Sequence, residues 1–108
     1  MTFSTLLSAL RAAGFNVYED MTPAGQTSYI TVSLYGLRRY FGDGVGQLRV
    51  WRCQLDCWCQ SAAAYDDGGF YVSILDTLDG FDLAYSVAET GYDDEAKSYR
   101  MIIQCEVL

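Results

Sequence analysis

Residues 48–60 read Leu-Arg-Val-Trp-Arg-Cys-Gln-Leu-Asp-Cys-Trp-Cys-Gln, and they split into two rows. Trp51, Cys53, Leu55, Cys57 and Cys59 fall on one row. Val50, Arg52, Gln54, Asp56, Trp58 and Gln60, mostly polar, fall on the other. Side chains on a strand alternate between faces, so this period of two predicts a long strand with one face under helices and one differently exposed.

Upstream, Tyr29-Ile30-Thr31-Val32-Ser33-Leu34-Tyr35 is dense in β-branched and aromatic residues and predicts a second strand. Gly36 interrupts it, Leu37 to Phe41 continue it outward, and Gly42-Asp43-Gly44-Val45-Gly46 forms a flexible tip joining it to the first. Nearer the start, Phe3, Leu6, Leu7 and Leu10 lie on one face of a helix that Thr2 or Ser4 caps and Gly14 stops. A short extended segment, residues 15–18, and a loop from Met21 to Ser28 containing the only proline, Pro23, complete this half.

Downstream, Ala62 to Tyr65 reads as a connection and Asp66 or Asp67 as the N-cap of a second helix. Phe70, Ile74, Leu75 and Leu78 form its apolar stripe, and Gly80 ends it. Phe81, Leu83, Tyr85 and Val87 alternate as a strand, residues 91–95 form a turn, and Tyr99, Met101, Ile103, Cys105 and Val107 alternate as the last strand. The expected fold is one α+β domain over residues 1–108. Its small antiparallel sheet, mixed at most, is flanked by two helices in the order α-β-β-β-α-β-β, and a β-hairpin arm projects from it.

Just over half of the residues are apolar and about a fifth are charged, which argues against disorder. The net charge of −7 repels phosphate backbones and disfavours ordinary nucleic-acid binding. No apolar run has the length of a membrane span, and the start lacks the basic region of a signal peptide, so a reducing cytoplasm is expected. Arginine outnumbers lysine six to one and aromatics are abundant, a bias shared with protein interfaces.

Four features invite a chemical reading. Cys53, Cys57 and Cys59 share a strand face, where neighbours stand about 6.8 Å apart and run parallel; a tetrahedral metal needs convergent ligands, so buried apolar thiols are expected, with metal binding as the alternative. Gly42, Gly44 and Gly46 sit between two strands, whereas a phosphate cradle opens a helix. The carboxylates at Asp66-Asp67, at Asp76, Asp79 and Asp82, and at Asp93-Asp94-Glu95 lack the spacing of a calcium loop; Asp76 and Asp79 stand unfavourably near a helix C-terminus. Histidine is absent, and no serine or cysteine has an activating partner, so no catalytic residue, metal site or cofactor is assigned. The candidate residues are those of an interface: Arg38, Arg39, Tyr40 and Phe41 before the glycine tip, with Arg52 and Trp58 on the polar row.

Taken in order, "AAGFNVYEDMTPAGQTSYITVSL" (12–34), "RVWRCQLDCWCQS" (49–61), "YVSILDTLDGF" (71–81) and "SYRMIIQCEVL" (98–108) resemble the tail-completion, or tail-terminator, proteins of long-tailed bacteriophages and prophages. Members have a helix end, a V-Y segment, a Pro/Gly loop and a Y-I strand, then a strand of the type R-x-Q-x-D-x-[WY], a helix and a closing strand. The three strand cysteines and the Gly-rich tip depart from that pattern. The resemblance implies a non-enzymatic virion component of the tail or neck, assembled in the bacterial host cytoplasm. Such proteins form a ring, commonly a hexamer, that caps the tail tube protein, ends its polymerisation and joins the head-tail connector proteins, with DNA passing through the lumen without specific binding. The rival expectations are a head-closure or other neck protein and, from a different class, a small metal- or ligand-binding domain.

Overall fold

A computed structural model describes residues 1–21, 23–42 and 46–108, with side chains described outside 38–48. The elements run α1 (Phe3–Ala12), β1 (Val17–Glu19), β2 (Ser28–Gly42), β3 (Gly46–Cys59), a single 3-10 turn (Ala62–Tyr65), α2 (Phe70–Asp79), β4 (Tyr85–Asp93) and β5 (Ser98–Val107). The fold is α+β, with one five-stranded sheet in the order β1-β2-β3-β5-β4. β1 lies parallel to β2 and every other pairing is antiparallel, so the sheet is mixed.

β3 lies at the centre. Its inward row pairs Cys57 with Ile30 and Met101, Leu55 with Val32 and Ile103, and Cys53 with Cys105. The same core takes Leu6, Leu7 and Leu10 from α1 and Tyr71, Ile74 and Leu78 from α2. Both helices therefore cover one face of the sheet. Thr2 caps α1 by accepting the Thr5 N–H at 3.1 Å, and Gly14, at φ 97°, takes the left-handed conformation that ends the helix.

The cap of α2 differs from the expected aspartate. Gly69 occupies it without a side-chain bond, while Ser61 caps the preceding 3-10 turn. A Cβ on Gly69 would stand 2.2 Å from the Ala63 carbonyl oxygen, so any other residue there would force turn and helix apart. Phe81 and Leu83 precede β4 and pack on the core; they are not strand residues. The final turn is also displaced. β4 runs through Gly91 to Asp93, whose carboxylate accepts the N–H groups of Glu95 and Ala96, both at 2.9 Å, and Lys97 adopts φ 54°. Local side-chain bonding by Asp93 sets the turn, not the glycine.

Two assignments from the alternation change where the helices stop. Trp51, in the expected inward row, is 41% exposed, and Val50, in the polar row, is buried. Trp51 is the last β3 residue paired with β5, opposite Val107, so it lies at the margin of the covered sheet. Gly36 does not break β2; the irregularity is a bulge at Tyr35, since Leu34 pairs with Cys53 and Gly36 with Arg52. The bulge reverses the parity of β2, which places Leu37 opposite Trp51 on the helix-bearing side. Beyond that rung β2 and β3 pair only with each other, as the projecting arm.

The fit around Gly69 generates a test. Gly69→Ala should lower stability by about 1–3 kcal/mol, because the obstructing atoms are backbone carbonyls. Thermal melting followed by circular dichroism checks this; an unchanged midpoint would contradict the tight turn-to-helix junction.

Candidate interaction surface

The outward face of the sheet carries a polar network built by cross-strand register. Trp58 stands opposite Arg100, and Asp56 is the next outward residue along β3. Arg100 Nη2 donates to Asp56 Oδ2 at 3.1 Å, Gln54 Nε2 donates to Asp56 Oδ1 at 2.9 Å, and the Arg100 guanidinium lies 5.1 Å from the Trp58 ring centre. The tryptophan is thus half-buried beneath an arginine whose charge is already paired. Its place is in the packing of this face.

Arg52 is exposed on the same face and forms one wall of an open groove of about 550 Å³, with Tyr35, Tyr85, Ser86, Gln104 and Glu106 among the other walls. Six residues of strand separate Arg52 from Trp58, roughly 20 Å, so these two candidates do not form one site. Arg38, Arg39, Tyr40 and Phe41 belong to the paired backbone of the arm, opposite Val50, Arg49, Leu48 and Gln47; their side chains lie outside the described residues. So do residues 43–45 of the glycine tip.

Three surface features were not anticipated. Leu34, Leu37 and Trp51 are exposed on the helix-bearing side where the arm leaves the body. β4 is an edge strand whose side chains are all exposed or half-buried. At the opposite end of the sheet, Tyr65, Tyr71, Tyr92 and Tyr99 form an edge-to-face group, with Tyr99 contacting Tyr65 at 5.8 Å and Tyr92 at 5.0 Å. The Tyr92–Tyr99 register could have been found from the hairpin pattern once its turn was placed correctly; the approach of Tyr65 has no local signal.

The four cysteines are buried and free, as their inward row implied. Among the described residues no three His, Cys, Asp or Glu side chains are grouped to hold a metal ion. A hydrogen bond to Cys105, with burial, holds the Cys53 thiol above its ordinary range, and burial does the same to Cys57. On the surface, Tyr85 donates to Asp79, which pushes its pKa up to about 12. Asp79 thereby gains a bonding partner that the helix-end argument lacked.

No known protein-family model matches the chain, and no curated protein is significantly similar to it in sequence.

Thiol burial predicts a chemical and a pH signature. The folded protein should show no fast-reacting thiol towards an aromatic disulfide reagent, and all four should react in denaturant. Unfolded thiols ionise as pH rises past about 9 while Cys53 and Cys57 stay protonated in the fold. The folded state then holds more protons, so stability should fall above that pH. Rapid labelling of the native protein, or a melting midpoint constant to pH 10.5, would contradict it.

Proposed function

We propose that this protein is a structural component of a phage or prophage tail, forming a ring that caps the tail tube, terminates its polymerisation and offers the head-tail joining surface. The observation that carries the reading is an unfinished sheet. Among the described residues β4 has no outer neighbour, β1 pairs only with Ile30–Val32 of β2, and the arm extends past both flanking strands. Exposed edges and arms are places where another chain pairs, and contacts between unlike surfaces close rings. The order of elements, similar to that of tail-terminator proteins, supports the same reading.

A structural role also suits the chemistry. The chain has no histidine, and its thiols are buried. A net charge of −7 favours a lumen through which DNA slides without adhering. Among the described residues no helix is long and apolar enough to cross a membrane.

Light scattering over a concentration series tests closure. The expected mass reaches a plateau at about six times the 12.1 kDa chain and grows no further. In parallel, the protein added to polymerising tail tubes should bind their ends and shorten them, as seen by electron microscopy. Tubes that lengthen unchanged would sink the reading, and binding to portal connectors alone would move the protein to the head side of the neck.

A further inference from the structure

Charge is segregated along the molecule. The hairpin from Leu34 to Arg52 holds four of the seven basic residues, Arg38, Arg39, Arg49 and Arg52, and only one of the fourteen acidic ones, Asp43. At the other end of the sheet the balance reverses. Asp66 and Asp67 follow Tyr65, and Asp93, Asp94 and Glu95 follow Tyr92. Both tyrosines pack on Tyr99, so the five carboxylates share that end. Two cations lie near them, Lys97 and Arg100, and Arg100 is paired with Asp56. β2 and β3 run side by side from the acidic end to Gly42 and Gly46 of the arm, roughly 43 Å of strand, within a long axis of 51 Å.

Each end also exposes apolar surface that the fold does not use. Leu34, Leu37 and Trp51 are 43, 38 and 41% exposed at the root of the arm, and Tyr65 and Tyr92 are 42 and 51% exposed at the acidic end. The arm is a two-stranded ribbon beyond Trp51, and such ribbons are marginal in water without a third strand or a covering layer. In its backbone register Arg39 and Arg49 occupy one rung, which adds like charge to a ribbon that already lacks cover. A neighbouring anionic surface converts that cost into attraction.

We infer that the arginine arm of one copy docks on the tyrosine-and-carboxylate end of the next copy. Arginine meets both groups well, donating its paired N–H groups to carboxylates and lying over tyrosine rings. The contact joins two different surfaces, so repetition gives a ring where the rotation closes and a filament where it does not. It deepens the proposed ring and rests on it only for closure.

Two variants test the contact in the full-length chain: Arg49→Glu/Arg52→Glu at the arm, and Asp94→Lys/Glu95→Lys at the far end. Asp93 is left in place because it holds the turn. Each variant alone should self-associate at least tenfold more weakly than the parent by sedimentation. A one-to-one mixture should recover mass above either variant alone, since each unchanged arm meets an unchanged end and the substituted arm, now weakly acidic, meets an end relieved of its excess acid. Self-association of the parent should weaken as salt rises. Where melting shows a reversal to be misfolded, Arg49→Gln/Arg52→Gln and Asp94→Asn/Glu95→Gln replace the pairs, with loss of salt dependence as the readout.

Undiminished assembly of either variant, or a mixture that fails to recover, overturns this contact and leaves the ring standing on other surfaces. An open filament disrupted by both variants supports the contact and removes the ring. A parent chain that is monomeric at every concentration overturns the contact, while tube capping separately decides the ring. If the arm variant instead loses only binding to a duplex oligonucleotide, the arm serves nucleic acid and the inference falls.

Discussion

Everything in this fold depends on the inward row of β3. Cys53, Leu55 and Cys57 are completely buried, and each pairs on both sides with another inward residue. The row is narrow because two of its three members are small. Thiols behave here as compact apolar groups, which lets Leu6 and Leu10 of α1 and Ile74 and Leu78 of α2 join them in one core. Larger side chains there would overfill a close-packed interior, and smaller ones would leave voids. Among the described residues most of the buried apolar side chains gather in this one cluster, so the loss falls on the whole fold.

That dependence explains why the fold was legible and where legibility stopped. Period-two alternation over residues 48–60 reports burial on one face, and the structure keeps it from Cys53 to Cys59. It fails at Trp51 and Val50 because alternation gives the face of a strand, whereas burial also needs something on that face. The helices do not extend over the arm root, and no local pattern states where their cover ends. The turn between β4 and β5 departs from the glycine signal for a different reason. A glycine is a strong local signal, but two N–H groups bound by Asp93 and a left-handed Lys97 outweighed it.

The candidate surface was legible in part. Arginines crowded before a glycine tip are visible as charge, and the register places them on a projecting hairpin. Trp58 was legible as an exposed-row aromatic but not as the ring beneath Arg100, because that pairing joins residues far apart in sequence. The same holds for Tyr65 and Tyr92, brought together only through Tyr99. Tertiary proximity of this kind is what single-sequence periodicity does not carry.

The arm and the body make opposite demands on the same two strands. From Cys53 to Cys59, β3 is stabilised by burial, which is non-directional and little affected by salt. From Gly46 to Val50 it pairs only with β2 and carries an exposed cation, Arg49, whose interactions are screened within about 8 Å at physiological ionic strength. The bulge at Tyr35 marks the border. It adds one residue to β2, turns Leu37 to the same side as Trp51, and gives the ribbon its own twist. A strand built in this way is held by the core at one end and free of it at the other, so changes in the arm leave the core that sets the fold untouched.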